Sequence, residues 1–131
     1  MNLESLEAQL VRDIEKLGIT DNIRIRVKNY SSCHYGNYRP KTNLITIYAY
    51  EDKRCTKIYP YPHLLLTAVH EAIHCKQYSD PNFKRVKGVM HNPEFYALYK
   101  IYSSKAKLML LIRRLNKNAG KEKSHTHYSL S

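Results

Sequence analysis

The chain of 131 residues contains no run of eighteen or more apolar residues, about the length that a helix needs to cross a bilayer. Its first four residues, Met1-Asn2-Leu3-Glu4, do not have the basic stretch and apolar run of a secretory signal. Cysteine is also scarce, because the chain has three in total and no CxxC pair. An odd, unpaired set argues against a disulfide framework and suits a reducing compartment. We expect a soluble protein, cytoplasmic or nucleoid-associated, without a membrane partner and with its cysteines as buried thiols.

Acidic residues are scarce in the later part of the chain, and the formal net charge is +11. Residues 1–80 carry 11 Lys and Arg against 9 Asp and Glu, whereas residues 81–131 carry 11 against two. This uneven basicity favours a polyanionic partner, DNA first, because Lys and Arg contacts to phosphates release counterions. The basic residues Lys84, Arg85 and Lys87 are the predicted nucleic-acid contacts. The alternative is a charged surface that only keeps the protein soluble.

The length fits one domain with one core. Leu3, Leu6, Leu10, Ile14 and Leu17 recur at helical spacing, which predicts a first amphipathic helix. Residues 23–28 alternate between apolar and basic side chains, and residues 44–50 are β-branched and aromatic, so both predict strands. The predicted division is a domain over residues 1–117, followed by a basic, flexible tail over residues 118–131.

Two helices are predicted in the second half of the chain. The first should begin near Pro62 and end before Pro81, because the residue that precedes a proline is pushed out of the helical region. The second should begin at Asn92-Pro93-Glu94, which supplies a capping side chain, a proline at the first position and an acid in the first turn. Ser103-Ser104 is predicted to divide this helix into two pieces.

The sequence His70-Glu71-Ala72-Ile73-His74 lies within the first of these helices and has the pattern HExxH. Residues four apart share one face of a helix, so the imidazoles of His70 and His74 can bind one Zn²⁺. Glu71 can then act as general base towards a water molecule at the same site. The pattern therefore predicts a catalytic zinc centre, with Glu71 as its catalytic residue.

A catalytic zinc needs a third protein ligand and one open position. His91 is the preferred candidate, because it lies 17 positions after His74, at the end of a loop that can return the chain to the metal. Asp80 occupies the third-ligand position of the metzincin pattern, but Gln77 stands where that pattern has its glycine. Glu94 is a further alternative, and its position also suits a helix start.

With these residues in place, the chain resembles the SprT-like zinc metalloproteases, relatives of Spartan. The resemblance rests on HExxH, then a variable loop, then His91-Asn92-Pro93-Glu94-Phe95, and it covers roughly residues 20–105, including a strand and turn at residues 38–47. Asn92 stands where the family usually has glycine. The resemblance implies that His70, His74 and His91 are zinc ligands, that Glu71 is the general base, and that the substrates are proteins on or near DNA.

The expected fold is therefore α+β and minimal zincin-like, with an N-terminal helix, a small and mostly antiparallel sheet, the HExxH helix and a C-terminal helix. Residues 44–50 are the expected edge strand that would hold an extended or unfolded protein substrate. The expected function is zinc-dependent endopeptidase activity. The alternative is a non-catalytic, basic nucleic-acid-binding module that keeps the fold and a structural metal. Cys33, His34, Cys55 and His63 are the types of residue that form a structural zinc site, but their spacing matches no established zinc pattern.

Overall fold

The computed structural model describes residues 2–79 and 91–130, and it describes the side chains of the last helix as far as residue 119. Over the described residues the fold is α+β, with three helices and three short strands. In chain order these are α1 (Leu3–Leu17), β1 (Ile25–Lys28), β2 (Gly36–Arg39), β3 (Leu44–Tyr48), α2 (Tyr61–Ser79) and α3 (Pro93–Leu130). Asp80, Lys84, Arg85 and Lys87 lie outside the described residues, so the predictions for them stay predictions.

The first helix has the bounds that its sequence predicts. The Asn2 side chain accepts a hydrogen bond from the Ser5 N–H at 2.7 Å, and Gly18 ends the helix in the left-handed conformation with φ of 70°. The predicted apolar face is buried against the sheet and the other helices. One polar side chain on this helix, Asp13, is buried as well.

The sheet is mixed, which corrects the prediction that it is mostly antiparallel. Its strand order is β1-β3-β2, with β1 and β3 parallel and β2 and β3 antiparallel. The prediction that residues 44–50 form an edge is wrong, because β3 is the central strand. Its three middle residues, Ile45, Thr46 and Ile47, are all buried. Continuous burial of this kind, without alternation, is typical of a central strand.

The free edges of the sheet belong to β1 and β2. One face of the sheet packs against the helices through Ile25, Val27, Ile45 and Ile47, which the strand register places side by side. Arg26 and Lys28, which alternate with the buried residues of β1, are exposed. This is the alternation that the sequence predicts for the first strand.

The two later helices begin where they were predicted. The Asn92 side chain accepts a hydrogen bond from the Phe95 N–H at 2.8 Å, so it caps α3 at Pro93. The predicted break at Ser103-Ser104 is wrong, since α3 is continuous through both residues. Their hydroxyl groups donate to the Lys100 carbonyl at 3.3 and 2.7 Å, which accommodates both serines within the helix.

An ion pair between the buried Asp13 and the more exposed Arg113 joins the first and last helices. Arg113 contacts both carboxylate oxygens of Asp13 at 3.0 and 3.1 Å, and the Tyr61 hydroxyl of α2 donates to the same carboxylate at 2.5 Å. Burial alone would raise the pKa of Asp13, but these hydrogen bonds to its charged form outweigh burial and lower it. The three helices are therefore linked through one carboxylate. The backbone of α3 continues to Leu130, and the proposed division at residue 118 stays a prediction.

Candidate metal centre

Three imidazoles meet where α2 passes the start of α3. His70 and His74 lie one turn apart on α2, and their Nε2 atoms are 3.3 Å apart. His91, two residues before α3, brings its Nε2 atom to 3.1 Å from each of them. The capped start of α3 fixes the position of His91, because Asn92 and Phe95 are both buried beside it.

The spacing of these nitrogen atoms fits a tetrahedral metal ion. Zinc–imidazole bonds of about 2.0–2.1 Å place the ligand nitrogens of a tetrahedral site about 3.3 Å apart. All three Nε2–Nε2 distances are within a few tenths of an ångström of that value. Within the described residues, this is the only group of three or more His, Cys, Asp or Glu side chains that could hold an ion. The four residues considered for a second site, Cys33, His34, Cys55 and His63, do not form such a group.

Neither of the alternative third ligands, Glu94 and Asp80, is found with His70 and His74 among the described residues. Glu94 is exposed in the first turn of α3 and is not part of the cluster. Asp80 lies outside the described residues. The structure thus brings together the three histidines that the sequence singles out.

Phe95 packs against the imidazoles of all three histidines. Its ring stacks on His74, with centroids 4.6 Å apart and an interplanar angle of 24°. It meets His70 and His91 edge-on at 4.9 and 4.8 Å. The side chain is only 1% exposed, so it holds the three rings in place from the core side. The sequence identified Phe95 as an apolar residue of the last helix, but its contact with all three rings depends on how the two helices pack.

Gln77 orients His74 from behind. Its side-chain oxygen lies 2.6 Å from His74 Nδ1, and the residue is 1% exposed. The amide oxygen can only accept, so this hydrogen bond places the ring proton on Nδ1 and leaves Nε2 free to bind a metal. A partner of this kind raises the basicity of a metal-binding imidazole. In the sequence, Gln77 is notable only because it stands where the metzincin pattern has glycine. Its position three residues after His74, on the same face of the helix, was the signal that could have identified it.

The environment of His70 and His74 favours their neutral forms. Burial, together with the neighbouring His74 and His91, lowers the pKa of His70 to about 4. Burial also lowers the pKa of His74, against the opposing effect of the Gln77 hydrogen bond. A neutral imidazole is the form that binds a metal ion, so no proton has to be displaced from these two rings near neutral pH.

Glu71 is the one acidic side chain that lines the cleft beside the histidines. It is 8% exposed, and burial raises the pKa of its carboxyl group to about 7. A general base works best when its pKa is close to the working pH. A raised pKa in a cleft is typical of proton-transfer groups, and the role of Glu71 as general base stays a prediction.

An open cleft of about 480 Å³ extends from His70 and Glu71 towards the start of β2. Its walls come from α2, from the residues that precede β2, and from Tyr99 of α3. Gly36 is required at this boundary, because a Cβ atom there would lie 2.8 Å from the Thr46 carbonyl oxygen and 2.9 Å from Thr67 Cγ2. The glycine thus lets β2 approach α2 closely, a requirement that the sequence alone does not reveal.

His63 lies on the same cleft, two turns before His70. It stacks on Tyr59 with centroids 4.2 Å apart, and Tyr35 meets it edge-on at 4.8 Å. Burial lowers the pKa of His63, and its Nε2 atom is buried with no hydrogen-bond partner among the described residues. The far end of the cleft therefore has aromatic walls and a neutral imidazole.

The cysteines only partly follow the expectation that all are buried thiols. All three are free thiols, but Cys33 is exposed, Cys55 is half-buried and Cys75 alone is buried. Cys33 and Cys55 lie in the connections around the strands, where less of the core covers them.

Comparisons of the chain with models of protein families, with curated proteins and with solved structures found no match. Over the residues that the structure describes, no helix combines the length and the apolar character needed to cross a membrane.

Proposed function

We propose that the chain is a zinc-dependent endopeptidase related to the SprT-like metalloproteases. The observation that carries this proposal is the triangle of Nε2 atoms from His70, His74 and His91, with sides of 3.1–3.3 Å, next to the buried carboxyl group of Glu71. Three imidazoles and an open fourth position are the ligand set of catalytic zinc. When bound, Zn²⁺ would polarise a peptide carbonyl and lower the pKa of a water molecule towards neutrality.

The residues of the chain then have distinct tasks. His70, His74 and His91 hold the ion, while Gln77 and Phe95 fix the orientation of the rings. The Glu71 carboxylate accepts a proton from the attacking water and returns it to the nitrogen of the leaving amine, so that a C–N bond is broken and an acid and an amine are released. A divalent cation close to Glu71 would favour its charged form, which is the form that accepts the proton.

The substrate is proposed to be an extended or unfolded segment of a protein. The cleft leads from Glu71 to Gly36 at the start of β2. Among the residues that the structure describes, β2 pairs with β3 only, so its other edge is available to bind a peptide backbone. The proposed binding site for the substrate backbone is therefore this edge of β2. It is not residues 44–50, because they contribute the central strand.

The proposed setting is near DNA, in the cytoplasm or on the nucleoid. The basic second half of the chain supports this, and so do Arg26, Lys28 and Arg39, which are exposed on the strands. The same charges would also serve the alternative function, in which the chain binds nucleic acid and keeps the metal for structural reasons only. Proteolysis, and not DNA binding, distinguishes the two functions.

The decisive test uses a denatured, fluorescently labelled protein as substrate, with and without DNA. The zinc-loaded wild type should cleave it, and Glu71→Gln should abolish cleavage while leaving zinc and DNA binding nearly unchanged. Glu15→Gln is the matched control, because Glu15 is exposed on α1 and should keep full activity. Absence of cleavage by the wild type under all these conditions would favour the non-catalytic module.

A further inference from the structure

The long helix α3 has a second apolar face, which points away from the core. The members of this face are between 42% and 56% exposed. They are Ile101, Leu108, Leu111, Ile112 and Leu115, and we call them the outer seam. Isolated exposed leucines are common on protein surfaces. Here Leu108, Leu111, Ile112 and Leu115 are neighbours on one face, with Ile101 two turns before them, and a group of this kind marks an interaction site.

The spacing of the outer seam is that of a helix that packs against another helix. Ile101, Leu108 and Leu115 are seven residues apart and so form one line along α3, with Leu111 and Ile112 filling the second half. Leu108 is rotated about 200° around the helix axis from Ala106, which is fully buried in the core. From Ile101 to Leu115 the seam covers 15 residues, which is a rise of about 21 Å along the helix. It is therefore separate from the face of α3 that packs on the domain.

A row of basic residues accompanies the outer seam. Lys100, Lys107 and Arg114 are also seven residues apart, and each lies one position before a member of the line. Lys105 lies on the opposite flank, and the chain has no acidic residue between positions 95 and 119. In paired helices, the charges at such flanking positions determine which partner binds.

Two grooves border the outer seam and give the surface its shape. A groove of about 360 Å³ between α3 and α1 has Lys16 and Lys105 at its rim, with Leu108 and Ile112 on its wall. A groove of about 260 Å³ between α3 and α2 is lined by Pro62, Leu111, Lys107 and Arg114. The seam is thus a ridge between two depressions, each with two basic side chains.

We propose that the outer seam binds an amphipathic helix of a partner protein whose apolar stripe is flanked by acidic residues. The ridge and its grooves match the interlocking surface of a helix, and the basic rows match acidic flanks. A second copy of this chain would instead oppose Lys and Arg of the same sign, in either relative direction of the two helices. This surface does not use the metal centre, so the inference is independent of the proposed enzyme activity.

The test uses the full chain with Glu71→Gln, so that no peptide is cleaved. The probe is a labelled helical peptide of about 21 residues, with Leu at the two apolar heptad positions and Glu at the flanking positions. A matched peptide carries Lys in place of Glu. Fluorescence anisotropy should show that the acidic peptide binds at least about tenfold more tightly than the basic one.

Two double variants test the surface itself. Leu108→Ser with Leu115→Ser should weaken binding of the acidic peptide at least about tenfold, because central apolar anchors dominate such interfaces. Lys107→Glu with Arg114→Glu should reverse the preference between the two peptides, while Lys53→Glu, at a remote exposed position, should change neither. Unchanged melting temperatures of the variants would show that the fold is intact.

Several results would overturn the proposal. Equal affinity for the two peptides, or binding that the seam variants do not alter, would remove this face as a helix-binding surface. Sedimentation of the protein alone as a dimer that Leu108→Ser dissociates would assign the seam to a second copy. Seam-dependent binding to vesicles of anionic lipid, without binding of the acidic peptide, would assign it to a membrane surface.

Discussion

Replacing Gln77 with Met should weaken zinc binding without unfolding the protein. The substitution keeps the length and approximate volume of a side chain that is 1% exposed, and removes the oxygen that lies 2.6 Å from His74 Nδ1. In the metal-bound state the His74 proton must remain on Nδ1, where it would be buried without an acceptor. In the metal-free state the ring can change tautomer and place its proton on Nε2, towards the other two imidazoles. The penalty therefore falls on the bound state.

The size of the effect follows from the cost of an unsatisfied buried donor, which is about 1–3 kcal/mol. That range corresponds to an increase in Kd of roughly 5- to 150-fold, and loss of an outer-shell partner of a metal ligand costs about 10- to 100-fold in affinity. Competition titration against a chromophoric chelator would measure the zinc Kd, with thermal unfolding of the metal-free protein as the control for folding. A Kd within about twofold of wild type would refute the assigned role of Gln77.

Three further predictions concern stability. Asp13→Asn should lower the free energy of unfolding at pH 7 by about 1–3 kcal/mol, since it weakens the hydrogen bonds that a buried carboxylate accepts from Arg113 and Tyr61. The folded-state pKa of Asp13 lies below its usual value of 3.8, so in denaturant titrations the difference from wild type should shrink as the pH falls below about 4 and vanish below the folded-state pKa. Gly36→Ala should lower the free energy of unfolding by about 1–3 kcal/mol in the same titrations, because the added Cβ would lie 2.8 Å from the Thr46 carbonyl oxygen. A change below about 0.5 kcal/mol would contradict the close packing of β2. Zinc at a concentration a thousandfold above its Kd should stabilise the folded protein by about 4 kcal/mol. Thermal unfolding should show this as a higher Tm that a chelator reverses, and an unchanged Tm would contradict metal binding to the folded state.

Local signals in the sequence predicted the helices well. The first helix begins after Asn2 and ends before Gly18, because a capping side chain and a left-handed glycine act on their own neighbours in the chain. Asn92 sets the start of the last helix for the same reason. These local signals also made His91 a reasonable third member of the histidine cluster, because they fixed where the chain re-enters a helix.

The errors about the sheet concern properties that depend on distant parts of the chain. The order of the strands is decided by which edges meet, and the apolar composition of Leu44–Tyr48 is as compatible with a central strand as with an edge. Local patterns do not contain this information. The break predicted at Ser103-Ser104 is a local error instead, since both hydroxyls bond back to the preceding turn and are accommodated within the helix.

The supporting residues of the candidate site were missed for a related reason. Phe95 contacts all three imidazoles only because α2 and α3 pack against each other, and the sequence shows no more than an apolar residue after a cap. The close approach at Gly36 likewise depends on the packing of β2 against α2. Gln77 was within reach of sequence reasoning, because its spacing from His74 alone places the two side chains together.

The most direct test of the metal centre is a measurement of zinc stoichiometry and Kd for the wild type and for His91→Ala, with His34→Ala as the matched control. The wild type and the control should bind one equivalent of zinc with the same affinity, and His91→Ala should bind at least about a hundredfold more weakly, as expected when one of three protein ligands is lost. Zinc binding by His91→Ala at wild-type affinity would show that His91 is not a ligand, and would contradict the three-imidazole site on which the proposed function depends.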